Sequence, residues 1–263
     1  MNKTFLQIQH LSRSFGGVKA LDDVSFEAQL SQIVAVVGPN GSGKTTMFNV
    51  ITGLLPPDRG EIWLDGCRID QLPTHKIVSL GITRTFQNVQ LFENMSVIDN
   101  VMVGHYRHEH AGFFGSALGL TRREEQQTRE VARRCLKRVG LEDKADFFAR
   151  SLPMGELRLL ELARALASEP RLLLLDEPTS GLNAVETIRV AATISRIRAN
   201  DVTVLLVEHD MNLVMGVADR IVVLYHGEKL AEGDPAEIQN NPRVIEAYLG
   251  QNNGGNAAAR EKG

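Results

Sequence analysis

A glycine-rich stretch near the start of the chain has the composition of a phosphate-binding loop. It fits the pattern G-x-x-x-x-G-K-[ST], in which backbone N–H groups surround a phosphate, a lysine neutralises the β- and γ-phosphates and a hydroxyl holds Mg²⁺. The lysine is Lys44 and the hydroxyl belongs to Thr45. The residues expected to bind a nucleotide are Gly38, Asn40, Gly41, Ser42, Gly43, Lys44, Thr45 and Thr46.

A pair of carboxylates forms the second chemical landmark. Residues 172–175 are an apolar run that predicts a strand, followed directly by Asp176 and Glu177. Ligand sites in parallel α/β sheets lie at the carboxyl ends of strands, so Asp176 is expected to complete the Mg²⁺ shell with Thr45. Glu177 is placed to act as a general base on water. Adjacent strand residues point to opposite faces, so a shared site requires a turn after Asp176, which Pro178 favours.

Two further side chains are candidates for nucleotide contacts. Residues 202–207 predict another strand, and His209 follows its end, where a γ-phosphate contact is favoured over a solvated loop residue. Phe15 lies in a turn over residues 15–18. An aromatic ring there can stack on an adenine, but spacing alone favours packing within the turn.

The segments around these side chains predict an alternation of strands and helices. Residues 33–37 predict a buried parallel strand, and residues 45–52 the helix after it, whose N-terminus faces the phosphates. Residues 6–11 and 24–28 alternate with a period of two, as half-buried strands do. Further strands are predicted at residues 61–66, 82–86, 221–225 and 229–231, and a final helix at 244–249.

Helices are predicted for the middle of the chain. Ser96 is a suitable N-cap for a helix over residues 97–103, and Thr121 begins a long charged helix that Gly140 ends. The face that this helix buries is expected to contain Val131, Cys135 and Val139. The apolar segment 112–120 is interpreted as packing on its own subdomain, with a docking surface as the alternative.

Composition limits the possible functions. The chain has 263 residues, of which 43% are hydrophobic and 23% charged, as in ordinary globular proteins. A net charge of −3 gives no general attraction to nucleic acid, so no nucleic-acid partner is expected. Cys67 and Cys135 are interpreted as reduced thiols. No apolar run approaches the ~20 residues that span a bilayer, so we expect a soluble, cytoplasmic protein whose membrane role would come through a partner.

The order of six motifs resembles the ATPase subunit of ABC transporters over residues 6–249. These motifs are the phosphate loop, Gln87, the segment Leu152-Pro153-Met154-Gly155-Glu156, the strand before Asp176 and Glu177, the segment Ser180-Gly181-Leu182-Asn183, and His209. The resemblance implies an α/β P-loop fold with a mixed β core, an antiparallel β subdomain and a helical subdomain. The ATPase domain would occupy residues 1–250, with the helical subdomain at about 88–167 and a disordered tail at 251–263.

The resemblance also implies roles for the candidate residues, with ATP and Mg²⁺ as cofactors. ATP would be sandwiched between the phosphate loop of one subunit and the signature segment of another, which is Leu152 to Glu156 in this chain. Phe15 stands at the position of the aromatic that stacks on adenine in this family, so the resemblance favours adenine stacking over the packing within the turn that spacing alone favoured. Gln87 would touch Mg²⁺ with Thr45 and Asp176 and sense the membrane partner. The expected catalytic residues are Glu177, His209 as the switch histidine, and Gln87.

A narrower resemblance links the chain to the ATP-binding subunits of branched-chain amino acid importers. It rests on residues 84–92, the insert at residues 112–120 and residues 240–250. It implies permease partners, an indirect role for a solute-binding protein, and a place on the cytoplasmic face of the inner membrane. The alternatives are an importer ATPase for another small polar solute such as urea, a soluble ABC ATPase and a P-loop kinase.

The signature segment departs from the usual Leu-Ser-Gly-Gly-Gln. Pro153 replaces a serine whose hydroxyl would reach the facing γ-phosphate, and Glu156 replaces a glutamine, which is expected to add negative charge there. Gly155 and the helix N-terminus remain, so anion binding would be weakened but kept. A homodimer would use this surface twice, so the sequence predicts a heteromeric ATPase pair with unequal sites. Asn183 also replaces the usual aspartate, which alters the hydrogen-bond chemistry.

Overall fold

A computed structural model describes residues 3–85, 87, 90–105 and 120–248, with the side chains of 120–123 excepted. The strands in this part of the chain are β1 (Thr4–Phe15), β2 (Val18–Gln29), β3 (Ile33–Val37), β4 (Arg59–Leu64), β5 (Cys67–Arg68), β6 (Ile82–Arg84), β7 (Leu172–Asp176), β8 (Thr203–Val207), β9 (Arg220–Tyr225) and β10 (Glu228–Gly233). The helices are α1 (Lys44–Ile51), α2 (Thr74–Ser79), α3 (Val97–His105), α4 (Leu120–Val139), α5 (Met154–Ala167), α6 (Ala184–Arg198), α7 (Met211–Val217) and α8 (Pro235–Gln239), with a last helical stretch at 242–248.

The chain divides into two compact units. The first consists of Met1–Ile77 with Thr203–Gly263, and the second of Val78–Val202. The second unit contains the predicted helical stretch and also β6, β7 and α6. Within the described residues, no helix is both long enough and apolar enough to cross a bilayer.

An antiparallel sheet forms one layer of the first unit, with the strand order β2-β1-β4-β5. β1 and β2 contain the predicted strands 6–11 and 24–28 but extend beyond them at both ends. Ile8 pairs with Phe26 on one side and with Ile62 on the other. These three side chains are buried. Asp65 and Gly66, which join β4 to β5, both have positive φ, as a tight hairpin turn requires.

The parallel strands of the first unit have the order β10-β9-β3-β8. All five residues of β3 are buried, and β3 pairs in parallel with both β8 and β9. The predicted buried strand is therefore confirmed, because an apolar run without alternation suits a strand that is covered on both faces. β9 and β10 contain the two strands predicted at 221–225 and 229–231, and they pair in the antiparallel direction. Residues of α7, α8 and the last helical stretch pack on this core through Val214, Ile238 and Val244.

The second unit combines a parallel strand pair with packed helices. β6 pairs in parallel with β7, and α3, α4 and α5 pack on one another. Ser96 Oγ accepts the Asp99 N–H at the start of α3, so the predicted cap is confirmed. The predicted face of α4 is also confirmed, because Val131, Cys135 and Val139 are buried.

Some predicted elements differ in the structure. β6 ends at Arg84, earlier than the predicted strand over 82–86, and Phe86 lies outside the described residues, as do the segment 112–119 and the tail 251–263. α2, α6, α7 and α8 are not predicted by the sequence patterns. α2 and α8 have six and five residues, which is too short for a helical period to appear in the sequence.

Candidate nucleotide-binding and hydrolysis site

The phosphate loop connects β3 to α1 and has no room for side chains at two positions. A Cβ at Gly38 would collide with the carbonyl oxygen of Leu224 and lie 2.7 Å from Ser42 Oγ. A Cβ at Gly43 would collide with the carbonyl oxygen of Ala20. Both glycines have positive φ, so the loop conformation and its surroundings require glycine.

Polar groups inside the loop suit a phosphate ligand. Ser42 Oγ is buried and has no hydrogen-bond partner among the described residues. The buried Lys44 Nζ donates to the carbonyl oxygens of Gly38, at 2.7 Å, and Pro39, at 2.9 Å. Thr45 in the first turn of α1 is exposed. A buried unpartnered hydroxyl, a lysine and a helix N-terminus are groups that bind phosphate, so these residues fit ATP.

Phe15 and His209 belong to the same unit as this loop. The Phe15 side chain is 44% exposed, and the Arg13 guanidinium lies 5.1 Å from its ring centroid. This exposure does not fit packing within the turn, but it leaves ring surface for stacking. His209 lies two residues beyond β8 and is exposed. Because β8 runs parallel to β3 and pairs with it, His209 and the phosphate loop follow strand ends at the same sheet edge.

The C-terminal helical stretch reaches the phosphate loop through Tyr248. Burial raises the pKa of this phenol, and a hydrogen bond with the backbone of Gly38 opposes the rise. Tyr248 also packs on the core cluster that contains Val37. The sequence predicts a helix here but no role for Tyr248, because the contact joins residues far apart in the chain.

In the second unit, Asp176 ends β7 beside a cation. Arg84 Nη2 donates to Asp176 Oδ2 at 2.7 Å, and the two side chains are only 7% and 10% exposed. Arg84 was missed as a site residue. The signal that was available is a charged residue at the end of a short strand that begins with the buried Ile82, because a charge near the core needs a partner.

Glu177 turns away from the strand direction immediately after Asp176. Its φ of 48° is left-handed, which confirms the turn that a shared carboxylate site required. Gln87 Nε2 donates to Glu177 Oε2 at 2.7 Å. The structure therefore brings together the expected sensor glutamine and the expected general base.

Arg158 on α5 holds the backbone around these residues. Its guanidinium donates to the Gln87 carbonyl at 2.7 Å and to the Ser180 carbonyl at 3.5 Å. Its other terminal nitrogen donates to Glu161 at 3.3 Å, and both side chains are buried. This charged pair three residues apart on an apolar helix was a signal for a buried network that the sequence analysis missed.

The signature segment corrects one expectation. Leu152 is buried, Pro153 is the N-cap of α5, and Met154 is half exposed. Glu156 does not present an uncompensated charge, because Lys144 Nζ donates to both of its carboxylate oxygens, at 2.5 and 2.6 Å. Arg189 Nη1 lies 3.8 Å from the same carboxylate. The expectation of added negative charge was wrong because the compensating lysine lies in a separate turn.

Asn183 preserves the helix cap that an aspartate would supply. Its side-chain oxygen accepts the N–H groups of Val185 and Glu186, each at 3.0 Å. The Glu186 carboxylate accepts the Asn183 N–H in return, which completes a capping box at the start of α6.

The expected Mg²⁺ residues are divided between the two units. Thr45 belongs to the first unit, and Gln87 and Asp176 belong to the second. Among the described residues, no group of three or more His, Cys, Asp or Glu side chains could hold a metal by itself.

Comparisons with known proteins agree with this set of motifs. Residues 21–180 match the family model "ABC transporter", and residues 228–252 match "Branched-chain amino acid ATP-binding cassette transporter". The chain is 44% identical to the high-affinity branched-chain amino acid transport ATP-binding protein BraF of Pseudomonas aeruginosa, over 95% of this chain and 100% of BraF. It is 41% identical to the LivG protein of Escherichia coli strain K12, with the same coverage.

A solved structure supports the same conclusion. The fold resembles the ADP conformation of MJ1267, an ATP-binding cassette of an ABC transporter, with a TM-score of 0.83 and 29% identity. The match covers 94% of this chain and 99% of MJ1267. The chain therefore belongs to the ABC transporter family, as one of its ATP-hydrolysing subunits.

Proposed function

We propose that this chain powers the import of branched-chain or related amino acids by hydrolysing Mg²⁺-ATP. The observation that carries the ATPase assignment is the glycine cradle, with Ser42 Oγ buried inside it and Lys44 lining it. The amino acid assignment is supported by the names of the relatives and by the family match at residues 228–252.

The nucleotide is bound by complementary contacts at its two ends. Phe15 stacks on the adenine, and the loop N–H groups with Lys44 neutralise the β- and γ-phosphates. Thr45, Asp176 and Gln87 would hold Mg²⁺, which would withdraw charge from the phosphate oxygens. Arg84 keeps the Asp176 carboxylate in place through their 2.7 Å hydrogen bond.

Hydrolysis uses Glu177 as the general base. Its carboxylate takes a proton from water as the water oxygen attacks the γ-phosphorus. The bond from the γ-phosphorus to the bridging oxygen breaks, and ADP and phosphate are formed. The Gln87 amide orients the carboxylate through their 2.7 Å hydrogen bond, and His209 contacts the γ-phosphate.

The partners are permease subunits, and through them a solute-binding protein, at the cytoplasmic face of the inner membrane. Exposed aromatics of the second unit support a docking surface there. Phe92, Phe147 and Phe148 are each about half exposed. They lie on segments joined by backbone hydrogen bonds, such as Ala149 N to the Met95 carbonyl at 3.0 Å. Large apolar side chains that cluster at the surface are typical of protein interfaces.

A second ATPase subunit completes the composite sites, and we propose that it differs from this chain. Pro153 supports this pairing, because it lacks both a hydroxyl and an N–H for the facing γ-phosphate. In a Glu177→Gln background, Pro153→Ser should increase MgATP-dependent dimerisation in sedimentation experiments, whereas Pro56→Ser, in a loop of the first unit, should not. A tight homodimer of the native chain that Pro153→Ser leaves unchanged would contradict the heteromeric pairing.

Transport by the assembled complex tests the substrate. The chain should co-purify with membrane subunits, and proteoliposomes made from that complex should take up labelled leucine when MgATP is supplied. Glu177→Gln should abolish uptake without dissociating the complex. Uptake of urea in place of leucine would redirect the assignment to another polar solute, and co-purification with soluble partners alone would reject the transport function.

A further inference from the structure

Glu186 connects two segments that serve the composite ATP site. Its Oε1 accepts the N–H of Gly155 at 3.3 Å, in the first turn of α5, and its Oε2 accepts the N–H of Asn183 at 3.1 Å. The contact with Gly155 is close, because a Cβ there would lie 2.7 Å from Glu186 Cγ. One carboxylate therefore bridges the signature segment and the segment before α6.

Capping of α6 does not require the contact between Glu186 and Gly155. α8 has the same capping box, in which Glu237 Oε2 accepts the Asp234 N–H at 2.9 Å and Asp234 Oδ1 accepts the Glu237 N–H at 2.8 Å. The Glu186 box has the additional bond to Gly155, which belongs to another helix. This additional bond places a negative charge at the N-terminus of α5, where helix N–H groups attract anions.

The next turn of α6 also contacts the signature helix. Arg189, three residues after Glu186, lies 3.8 Å from Glu156 and donates to the Gly140 carbonyl at 3.0 Å. α6 thus contacts two successive residues at the start of α5, one through an anion and one through a cation. A change at the Gly155 N–H would reach α6 directly through these contacts.

We propose that Glu186 is a positioning residue whose carboxylate accepts the Gly155 N–H while the ATPase dimer is open. When the dimer closes, this hydrogen bond breaks and the Gly155 N–H donates to the facing γ-phosphate instead. The inference rests on the composite site of the proposed function. A phosphate oxygen and a carboxylate oxygen repel each other and cannot share one N–H donor. Glu186 therefore opposes closure and couples it to the segment that begins α6.

Removal of the Glu186 charge tests this role. In a Glu177→Gln background, Glu186→Gln should lower the MgATP concentration for half-maximal dimerisation by about three- to tenfold, because the amide keeps the acceptor oxygen without the repelling charge. Sedimentation equilibrium across a MgATP titration measures this concentration. Glu237→Gln is the matched control, since it changes the other capping box in the same way, and it should leave the titration unchanged.

Independent measurements separate the possible outcomes. An unchanged or higher half-maximal concentration for Glu186→Gln would overturn the role of Glu186. If the Glu177→Gln chain forms too little dimer to titrate, the same comparison is made with Pro153→Ser added to every variant, and an unchanged or higher value there would overturn it equally. If Glu186→Gln does not fold by circular dichroism, Glu186→Asp replaces it, because this shorter side chain keeps the charge but withdraws it from Gly155, and it should shift the titration in the same direction. Binding of a fluorescent ATP analogue to the monomer should be equal in all variants, and its absence would reject the ATPase assignment instead.

Discussion

The backbone of Glu177 holds its carboxylate in an uncommon conformation. A φ of 48° costs a non-glycine residue about 1 kcal/mol, so the surrounding contacts must maintain it. The hydrogen bond from Gln87 is one such contact, and Arg158 fixes the Gln87 backbone in turn. Residues that are strained in this way often cluster at catalytic sites, which agrees with the proposed role of Glu177 as general base.

Glu177→Gln should separate binding from hydrolysis. The amide keeps the size of the side chain but cannot accept a proton, so the ATP hydrolysis rate should fall by ~10² or more while ATP affinity stays close to that of the parent. Single-turnover hydrolysis and equilibrium nucleotide binding measure the two quantities. Glu169→Gln is the control, because Glu169 is exposed and has a similar φ of 50°. Near-normal turnover in Glu177→Gln would remove Glu177 from this role.

Phe15→Ala should weaken ATP and ADP binding equally. Both nucleotides present the same adenine to the ring, and loss of stacking costs about 1 kcal/mol, or roughly fivefold in the dissociation constant. Titration calorimetry with each nucleotide measures the effect. Phe92→Ala removes a similarly exposed aromatic in the second unit and should change neither affinity. A selective loss of ATP alone would contradict adenine stacking.

Single-residue features differed in how well the sequence predicted them. The phosphate loop and the carboxylate pair were found because their residues are contiguous and their chemistry follows from local order. Arg84 and Lys144 were missed because their partners lie 92 and 12 residues away, and no local pattern specifies such a pairing. The charge of Glu156 was misjudged for the same reason.

At the scale of elements, burial explains which strands were predictable. β3, β7 and β8 are buried at every residue and, apart from Asp176 at the end of β7 and Thr203 at the start of β8, consist of apolar residues, so their positions were predicted within a residue or two. α4 was predictable because it is long and its buried face repeats. Short helices such as α2 depend on tertiary packing, and their few residues carry no period.

The β9–β10 pair carries an ion network that should make its stability depend on pH. Glu232 accepts hydrogen bonds from Arg220 Nε at 2.6 Å and Lys229 Nζ at 2.7 Å. Burial alone would raise the pKa of Glu232, but the bonds from Lys229 and Arg220 outweigh it and lower the pKa below the ordinary 4.5. The carboxylate therefore stabilises the fold above about pH 4.5, and this contribution is lost as the pH falls through the lowered pKa.

Glu232→Gln should reveal this contribution. At neutral pH the variant should lose about 1 kcal/mol of unfolding free energy, and the difference from the parent should shrink as the pH falls below about 4.5. Urea denaturation at several pH values measures it. Glu228→Gln changes an exposed glutamate of the same strand and serves as the control. A loss that stays constant down to pH 3 would show that the network does not depend on the Glu232 charge.

At the scale of the whole molecule, the candidate residues are distributed over both compact units. The phosphate loop, Phe15 and His209 belong to the first unit, whereas Gln87, Asp176, Glu177 and the signature segment belong to the second. Neither unit alone contains both the phosphate cradle and the general base. Isolation of either unit is therefore expected to abolish ATP hydrolysis.

The two cysteines should differ in how fast they react with a thiol reagent, because they differ in exposure. Cys67 in the first unit is exposed, whereas Cys135 in the second is buried, and burial raises its pKa to about 11. A maleimide at neutral pH should therefore label one thiol quickly and the other only when α4 opens. In Cys67→Ser the fast phase should disappear, and rapid labelling of both thiols in the parent would contradict the burial of Cys135. The rate of the slow phase then reports how often α4 opens, and no additional cysteine has to be introduced for the measurement.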